Sequence, residues 1–318
     1  MRQFLDFEKP VAELEEKIEE LRRMSETDAI NIDDEVARLT EKADRQLRIT
    51  YAKLNAWQKV QVARHAQRPH ALDYIAALIT DYMPLAGDRS FAEDNAVVGG
   101  LGRFEGRAVV VVGTERGHDL DTRLHHNFGM ARPEGYRKVR RLAELAGRFG
   151  LPILSFIDTA GAFPGIEAEA RGQAEAIARS TDAFLAAPVP IIATVIGEGG
   201  SGGAVALGAG DRVFMLEHSI YSVISPEGCA SILWRDTTQA AAAAEAMRLT
   251  AADLKQFGLI DEIIAEPVGG AHRDARAAIG SVGRAIAGAL PALLALEPAA
   301  LRAQRREKFL AMGRELSA

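Results

Sequence analysis

Cysteine is nearly missing from this chain of 318 residues, in which Cys229 stands alone. One thiol closes no internal disulfide and builds no cysteine-based zinc site, as expected in a reducing cytosol. Positive charge is also in short supply. The 38 Lys and Arg are outnumbered by 44 Asp and Glu, leaving a net charge of −6. That balance argues against nucleic acid as the main partner, because neutralising phosphates takes a basic surface, although a local basic pocket stays open. The opening Met1-Arg2-Gln3-Phe4-Leu5-Asp6-Phe7-Glu8 has no apolar signal core. No run comes near the ~18 apolar residues of a membrane span. Low-complexity linkers and short-period repeats are missing as well. A soluble, cytoplasmic protein is expected.

Apolar residues are abundant, at 48% of the chain, ample for a buried core. The first stretch has helical texture. Val11, Leu14, Ile18 and Leu21 share one face of 10–23, and Val36, Leu39, Ala43 and Leu47 share one face of a second helix. Asn31-Ile32-Asp33-Asp34 offers that second helix an N-cap and an acidic first turn. The pair predicts a helical hairpin outside the main core. Residues 54–82 read as further helix, broken at Pro69. From Ala96 the texture alternates. Strands are predicted at 96–100 and 108–112 with a turn at Phe104-Glu105-Gly106, then at 152–157, 190–196, 212–216 and 260–264. Helices are predicted between them at 135–149, 166–187, 239–247 and 253–257. Such alternation implies an α/β layered core. Residues 271–313 return to Ala/Leu/Arg-rich helix. The division is an N-terminal helical region over 1–89, a core over 90–270 and a C-terminal helical region over 271–318.

The stretch that organises the chain is Gly197-Glu198-Gly199-Gly200-Ser201-Gly202-Gly203, placed between an apolar strand and the helix that begins near Ala204. Glycines here are predicted to end the strand and to let another molecule lie on the backbone. Free amides at the following helix start favour an anion. The phosphate-binding P-loop is excluded, since Lys and Ser or Thr do not follow Gly203. Gly197, Gly199 and Gly202 match the dinucleotide fingerprint, with Glu217 near the expected ribose contact, which leaves a dehydrogenase open. Gly199-Gly200-Ser201-Gly202-Gly203 also matches a nucleophile elbow, for which His218 and His272 are available partners. A backbone oxyanion hole and plain strand–helix packing complete the alternatives.

A second glycine turn, Asp158-Thr159-Ala160-Gly161-Ala162-Phe163-Pro164-Gly165, follows the preceding strand, so the two turns are predicted to meet at the ligand crevice of the sheet. Asp158 is a candidate base, cap or structural acceptor, and Arg171 a candidate anion contact or surface ion pair. His125-His126 lacks a third metal ligand nearby. The segment 221–229 reads as extended chain and turn, with Cys229 a packed small residue. No acid–base–nucleophile set stands out. The main chemical features are backbone donors, which suit an enolate or similar oxyanion.

Several ungapped motifs resemble one family. Phe4-Leu5-Asp6-Phe7-Glu8, Leu85-Ala86-Gly87-Asp88-Arg89, Val98-Gly99-Gly100, Asn127-Phe128-Gly129-Met130, Pro133-Glu134-Gly135-Tyr136-Arg137-Lys138, the glycine loop, and residues 221–234 look like the carboxyltransferase alpha subunit of bacterial acetyl-CoA carboxylase. The resemblance implies a crotonase-like α/β fold of ββα units with helical extensions. It implies transfer of a carboxyl group from carboxybiotin, borne by the biotin carboxyl carrier protein, to acetyl-CoA, giving malonyl-CoA. It further implies a partner beta subunit carrying a zinc ribbon, expected as two alpha and two beta chains, and a biotin carboxylase component that uses ATP. By the same resemblance Gly202 and Gly203 are the backbone donors that hold the biotin ureido oxygen. Gly199, Gly200, Ser201, Gly161, Ala162 and Phe163 are then expected to line the biotin site. Biotin's own nitrogen can take the methyl proton, so no side-chain base is required.

The family usually has proline and tyrosine where this chain has Ala160 and Phe163, which frees φ at 160 and removes a hydroxyl at 163. Some members have a basic pair where this chain has His125-His126, and neutral imidazoles would weaken any contact to CoA phosphates. A side chain at Gly203 is expected to block the ureido oxygen while leaving assembly intact. Competing functions are a scaffold subunit that only orients the beta chain, an NAD(H)-binding dehydrogenase, and a crotonase-type hydrolase or isomerase acting without biotin.

Overall fold

The computed structural model describes residues 3–27 and 33–314, so the cap expected at Asn31-Ile32 lies outside the described residues. Helices α1 (Lys9–Thr27) and α2 (Asp33–Tyr51) form the expected hairpin. Val11, Leu47 and Tyr51 close against Val62 in a small cluster of their own. Arg273 ties the hairpin to the body through Glu8 (3.2 Å) and Glu15 (2.6 Å).

Helices α3 (Ala56–Ala63) and α4 (Ala71–Leu78) flank the break at Pro69. Helix was predicted to continue to 82, but Ile79–Pro84 is strand β1, an edge strand paired with β2 (Val97–Phe104). Its partners run from Gly100 to Phe104, beyond the reach of any local pattern. Strand β2 turns into β3 (Arg107–Thr114) through Glu105 (φ 46°) and Gly106 (φ 79°), the paired left-handed conformation of a tight hairpin.

Next come α5 (Leu120–His125), α6 (Pro133–Phe149) and β4 (Ile153–Thr159). The single helix predicted over 166–187 is two helices, α7 (Ile166–Ala170) and α8 (Gln173–Ala186), because Gly172 takes a left-handed backbone (φ 82°) between them. Strand β5 (Ile191–Gly200), α9 (Ser201–Gly208), β6 (Arg212–Leu216) and β7 (Ile220–Ser222) follow. Extended chain and turn were expected as far as 229, but Pro226–Trp234 forms α10, with Pro226 in its first turn and the Ser225 hydroxyl capping Gly228 N–H. The chain ends through α11 (Ala240–Met247), α12 (Ala251–Gln256), β8 (Glu262–Ile264), α13 (Ala275–Leu294) and α14 (Pro298–Ala311).

The sheet runs β1-β2-β3-β4-β5-β6-β8, with β7 added against the end of β5. Pairing is antiparallel from β1 to β3 and parallel onward. Every residue of β4 and β5 is buried, as parallel strands covered on both faces must be. Val139, Leu142, Phe184 and Leu207 pack on one face; Tyr74, Phe156, Phe214 and Ile286 pack on the other.

Helix α13 bears on the expectation that no stretch comes near a membrane span. Its 20 residues are long and apolar enough to cross a membrane by length and composition. In the fold Ile279, Val282, Ile286 and Leu290 face the sheet while Arg276 and Arg284 stay exposed, so this is a core helix. Helix α14 is anchored through the fully buried Arg305. Its guanidinium donates to both Asp211 carboxylate oxygens (2.9 and 2.7 Å) and to the carbonyls of Phe184, Ala187 and Val189 (2.6–2.8 Å).

Candidate active site

Strands β4 and β5 are parallel neighbours, so both glycine turns leave the same edge of the sheet, side by side. The glycine loop does not end its strand at Gly197 as predicted. β5 continues to Gly200 because Glu198, Gly199 and Gly200 pair with Ile220, Tyr221 and Ser222 of β7, and Gly199 sits opposite Thr159. At these positions glycine serves close packing. A Cβ at Gly197 would lie 2.6 Å from Asp158 Oδ1, one at Gly199 2.9 Å from the Tyr221 ring, and one at Gly200 2.2 Å from the Ala160 carbonyl oxygen.

The chain then reverses at Ser201, whose φ of 51° is rare for a residue with a side chain, and enters α9. The first-turn amides of a helix have no intrahelical acceptor. No other acceptor reaches those of Gly202 and Gly203 among the described residues. Gly161 lies opposite, with φ 146° and space for a Cβ only 3.7 Å from that of Ser201. Gly202 is comparatively open, since a Cβ there would meet Ile177 at 3.4 Å. Gly203 is not. Its Cβ would lie 2.8 Å from Gly161 C and 3.0 Å from Ala162 N, so this glycine lets α9 press against the second turn. The expectation that a side chain at Gly203 blocks only a ligand is therefore corrected: it would push the two turns apart. Phe163 is fixed by its N–H bond to the Ala131 carbonyl (2.9 Å), by Arg132 over its ring (4.7 Å) and by Gly165, where no Cβ would fit.

Beneath the turns lies a charge clasp that the sequence reading missed. Glu198, inside the glycine loop and buried, accepts from Arg64 (Nε 3.0 Å, Nη2 2.6 Å) and Arg116 (3.2 Å). Arg116 also reaches Asp158 Oδ1 (3.3 Å), which accepts the Glu198 amide (3.0 Å), while His70 Nδ1 lies 2.9 Å from Asp158 Oδ2. Arg64 continues to Glu227 on α10 (2.6 Å). The clasp joins the strand end before each turn. Its one sequence signal was Glu198 itself, a charge among glycines and apolar residues that needs partners once buried.

Of the roles open to Asp158, the structure selects structural acceptor. Burial favours its neutral form, yet the Arg116 guanidinium and the His70 contact outweigh that and hold its carboxyl down at about 2. Because the folded value lies below the unfolded one, this stabilisation is complete above about pH 4 and is lost as pH falls through 2. Replacing Asp158 with Asn is expected to flatten the acid limb of a pH-unfolding curve by about 2 kcal/mol between pH 5 and 2. An unchanged acid limb would contradict the role.

Arg171 forms an ion pair with Glu134 (2.7 Å) and covers the Phe91 ring. Ser201 has the strand–turn–helix setting of an elbow, but no histidine bonds to it among the described residues. His218 packs edge-on to Tyr51, and His272 stacks on His65 at 3.8 Å. His126 bonds the Asn95 carbonyl (2.6 Å) and meets His125 edge-on. The dinucleotide reading loses its geometry, since Gly197 lies within the strand and Glu217 accepts the Glu266 amide (3.2 Å).

A family model described as acetyl co-enzyme A carboxylase carboxyltransferase-like matches residues 4–313. The chain belongs to this family. It is 73% identical to the acetyl-coenzyme A carboxylase carboxyl transferase subunit alpha of Gluconacetobacter diazotrophicus, over 99% of both chains. The subunit of the same name from Acidiphilium cryptum is 67% identical over 99% of each. Among solved structures, the transcarboxylase 12S hexamer superposes with a TM-score of 0.58 at 20% identity, covering 71% of this chain and 42% of that one. A Pseudomonas malonate decarboxylase hetero-tetramer in complex with coenzyme A gives 0.56 at 17%, covering 70% and 87%. These likenesses place the mixed sheet in the crotonase-like fold, and the expected fold class is borne out. The family is that of a biotin-dependent carboxyltransferase.

Proposed function

We propose that this chain supplies the biotin-side half of a carboxyltransferase site and works, in the cytoplasm, only with a beta subunit of related fold. In this reading the carboxyl group passes from carboxybiotin on a biotin carboxyl carrier protein to acetyl-CoA, giving malonyl-CoA. The zinc belongs to the beta subunit and ATP to a separate biotin carboxylase. The observation that carries the reading is the pair of unpartnered amides at Gly202 and Gly203 beside the Gly161-Ala162 turn. Preorganised N–H groups stabilise an oxygen that gains negative charge, by about 3–4 kcal/mol for each donor. A ureido oxygen gains such charge when biotin gives up its carboxyl group. This chain's own residues would bind and orient that oxygen. Gly199 and Gly200 let the backbone run close beneath it, Ser201 turns the helix start outward, and Ala162 and Phe163 shape the opposite wall.

Asp158 and Glu198 are both committed to arginines beneath the turns, so neither is offered as a base. The reading is tested by reverse transfer from malonyl-CoA to a soluble biotin derivative, with this chain alone and with the zinc-ribbon chain of the same source. Activity is expected only in the mixture. Transfer by this chain alone would mean that it holds both halves of the site. No transfer from a stable complex, with a beta chain competent alongside another alpha chain, would reduce it to a scaffold.

A further inference from the structure

Two buried side chains near the second glycine turn each carry a polar atom without a hydrogen-bond partner among the described residues. They are the Tyr136 hydroxyl and the Gln173 side-chain oxygen. An unpaired polar atom away from water lowers stability, so each such case asks for a reason. For Gln173 the reason lies at the other end of its amide. Its Nε2 donates to the carbonyls of Ala131 (2.9 Å) and Phe163 (3.0 Å), tying the turn to the segment that leads into α6.

Tyr136 has no such compensation. It is fully buried, and burial pushes the pKa of its hydroxyl up, so the group stays neutral. Its oxygen ends where the two turns meet. A Cβ on Gly203 would lie 3.0 Å from that oxygen, 3.0 Å from Ala162 N and 2.8 Å from Gly161 C. Tyr136, the Gly161–Ala162 peptide and the first turn of α9 therefore converge on one point. The ring itself is held firmly along α6. Before it, a Cβ on Gly135 would fall 2.5 Å from Asp94 Oδ2, and the Asp94 carboxylate accepts the Arg132 and Ala96 amides (2.7 and 3.0 Å). After it, Lys138 Nζ donates to the Asp94 carbonyl (2.9 Å).

We propose that Tyr136 is a positioning residue for the oxyanion site, its hydroxyl the stop against which the first turn of α9 and the Gly161–Ala162 turn are seated. The inference rests on the reading above, because what it positions is the Gly203 amide. Tyr136 is fully buried and does not itself touch a ligand; it acts through the spacing of the turns. Phenylalanine there keeps the ring and removes one oxygen, leaving a gap into which the turns can shift. Stability moves the other way, since an unpaired buried hydroxyl is lost.

The test compares Tyr136→Phe with Tyr74→Phe, each in the full chain assembled with its beta subunit. Tyr74 is the matched control: it is also fully buried with an unpartnered hydroxyl, but it stacks on Phe156 at the opposite face of the sheet. Reverse transfer from malonyl-CoA to a soluble biotin derivative gives kcat and both KM values, with thermal unfolding recorded alongside. In Tyr136→Phe kcat is expected to fall about 10-fold, less than the ~100-fold that a 1 Å misplacement can cause. Both KM values should stay within about twofold, as for an interaction made only in the transition state. The unfolding temperature should equal or exceed that of wild type. Tyr74→Phe should match it in stability and keep kcat within about twofold. An unchanged kcat in Tyr136→Phe would overturn the inference, as would a raised KM with kcat retained. A loss of kcat that comes with a lower unfolding temperature, or an equal loss in Tyr74→Phe, would overturn it too. Inactivity of the wild-type pair would overturn the parent reading and this one together. An active wild-type pair with an indifferent Tyr136→Phe would overturn this one alone.

Discussion

Alanine at Gly203 is expected to lower carboxyl transfer by about 100- to 1,000-fold, the effect of losing one oxyanion donor. The new Cβ would fall 2.8 Å from Gly161 C and 3.0 Å from Ala162 N. Both are backbone atoms, unable to rotate away as a side chain would. The two turns must separate, and the amide of residue 203 moves with them. Valine would add bulk to the same collision. Gly202→Ala is the matched comparison, because its Cβ would meet Ile177 at 3.4 Å, an ordinary contact, and its N–H is retained. That variant should stay within about threefold of wild type, the scale of a substitution that creates no clash. Turnover in the reconstituted pair and the unfolding temperature of each variant would decide it. Equal activity in both variants would show that contact between the turns does not set the donor geometry.

Breaking the clasp at Arg116 should have the next largest effect. Methionine there leaves the buried Asp158 without its arginine contact and the buried Glu198 with Arg64 alone. Removing one partner from a buried ion pair typically costs about 3–5 kcal/mol. The lower figure is the better expectation here, since Arg116 is 22% exposed and Arg64 still holds Glu198. The functional consequence follows from position. Asp158 precedes one turn and Glu198 the other, so their repulsion acts on the spacing of the amides. A fall in kcat of at least about 10-fold with little change in KM is expected for misaligned donors that act on the transition state. Arg116→Lys keeps the charge and should recover part of both losses, though one ammonium on a shorter stem is a poorer bridge. If kcat is unchanged while the unfolding temperature drops, the clasp supports the fold and not the site.

Much of the architecture was legible in the chain. The hairpin of α1 and α2 followed from apolar spacing, and the turn at Glu105-Gly106 and the break at Pro69 from backbone chemistry. β4, β5 and β6 followed from short apolar runs. The misses have a common origin. Residues 79–82 looked helical because their apolar positions fit either period over so short a span, and pairing with β2 decided the matter. Gly172 was absorbed into a helix because sequence pattern does not fix the sign of φ. Gly197, Gly199 and Gly200 were expected to stop a strand that pairing with β7 in fact extends. Glu198, the one charged residue of that run, needed Arg64 and Arg116 from distant parts of the chain before its burial made sense.

By itself the sequence determined the two glycine turns, their order on neighbouring strands, the scarcity of side-chain nucleophiles and bases, and the family motifs. Those depend on local conformation and composition, which a linear chain displays. Only the tertiary structure decided which glycines leave room for a ligand and which let backbone touch backbone. It alone joined Arg64, Arg116, Asp158 and Glu198 into a clasp. Burial makes such contacts obligatory, since a charge without water needs a counter-charge and a strand edge needs a neighbour. Which partner answers is settled by the path of the chain in space.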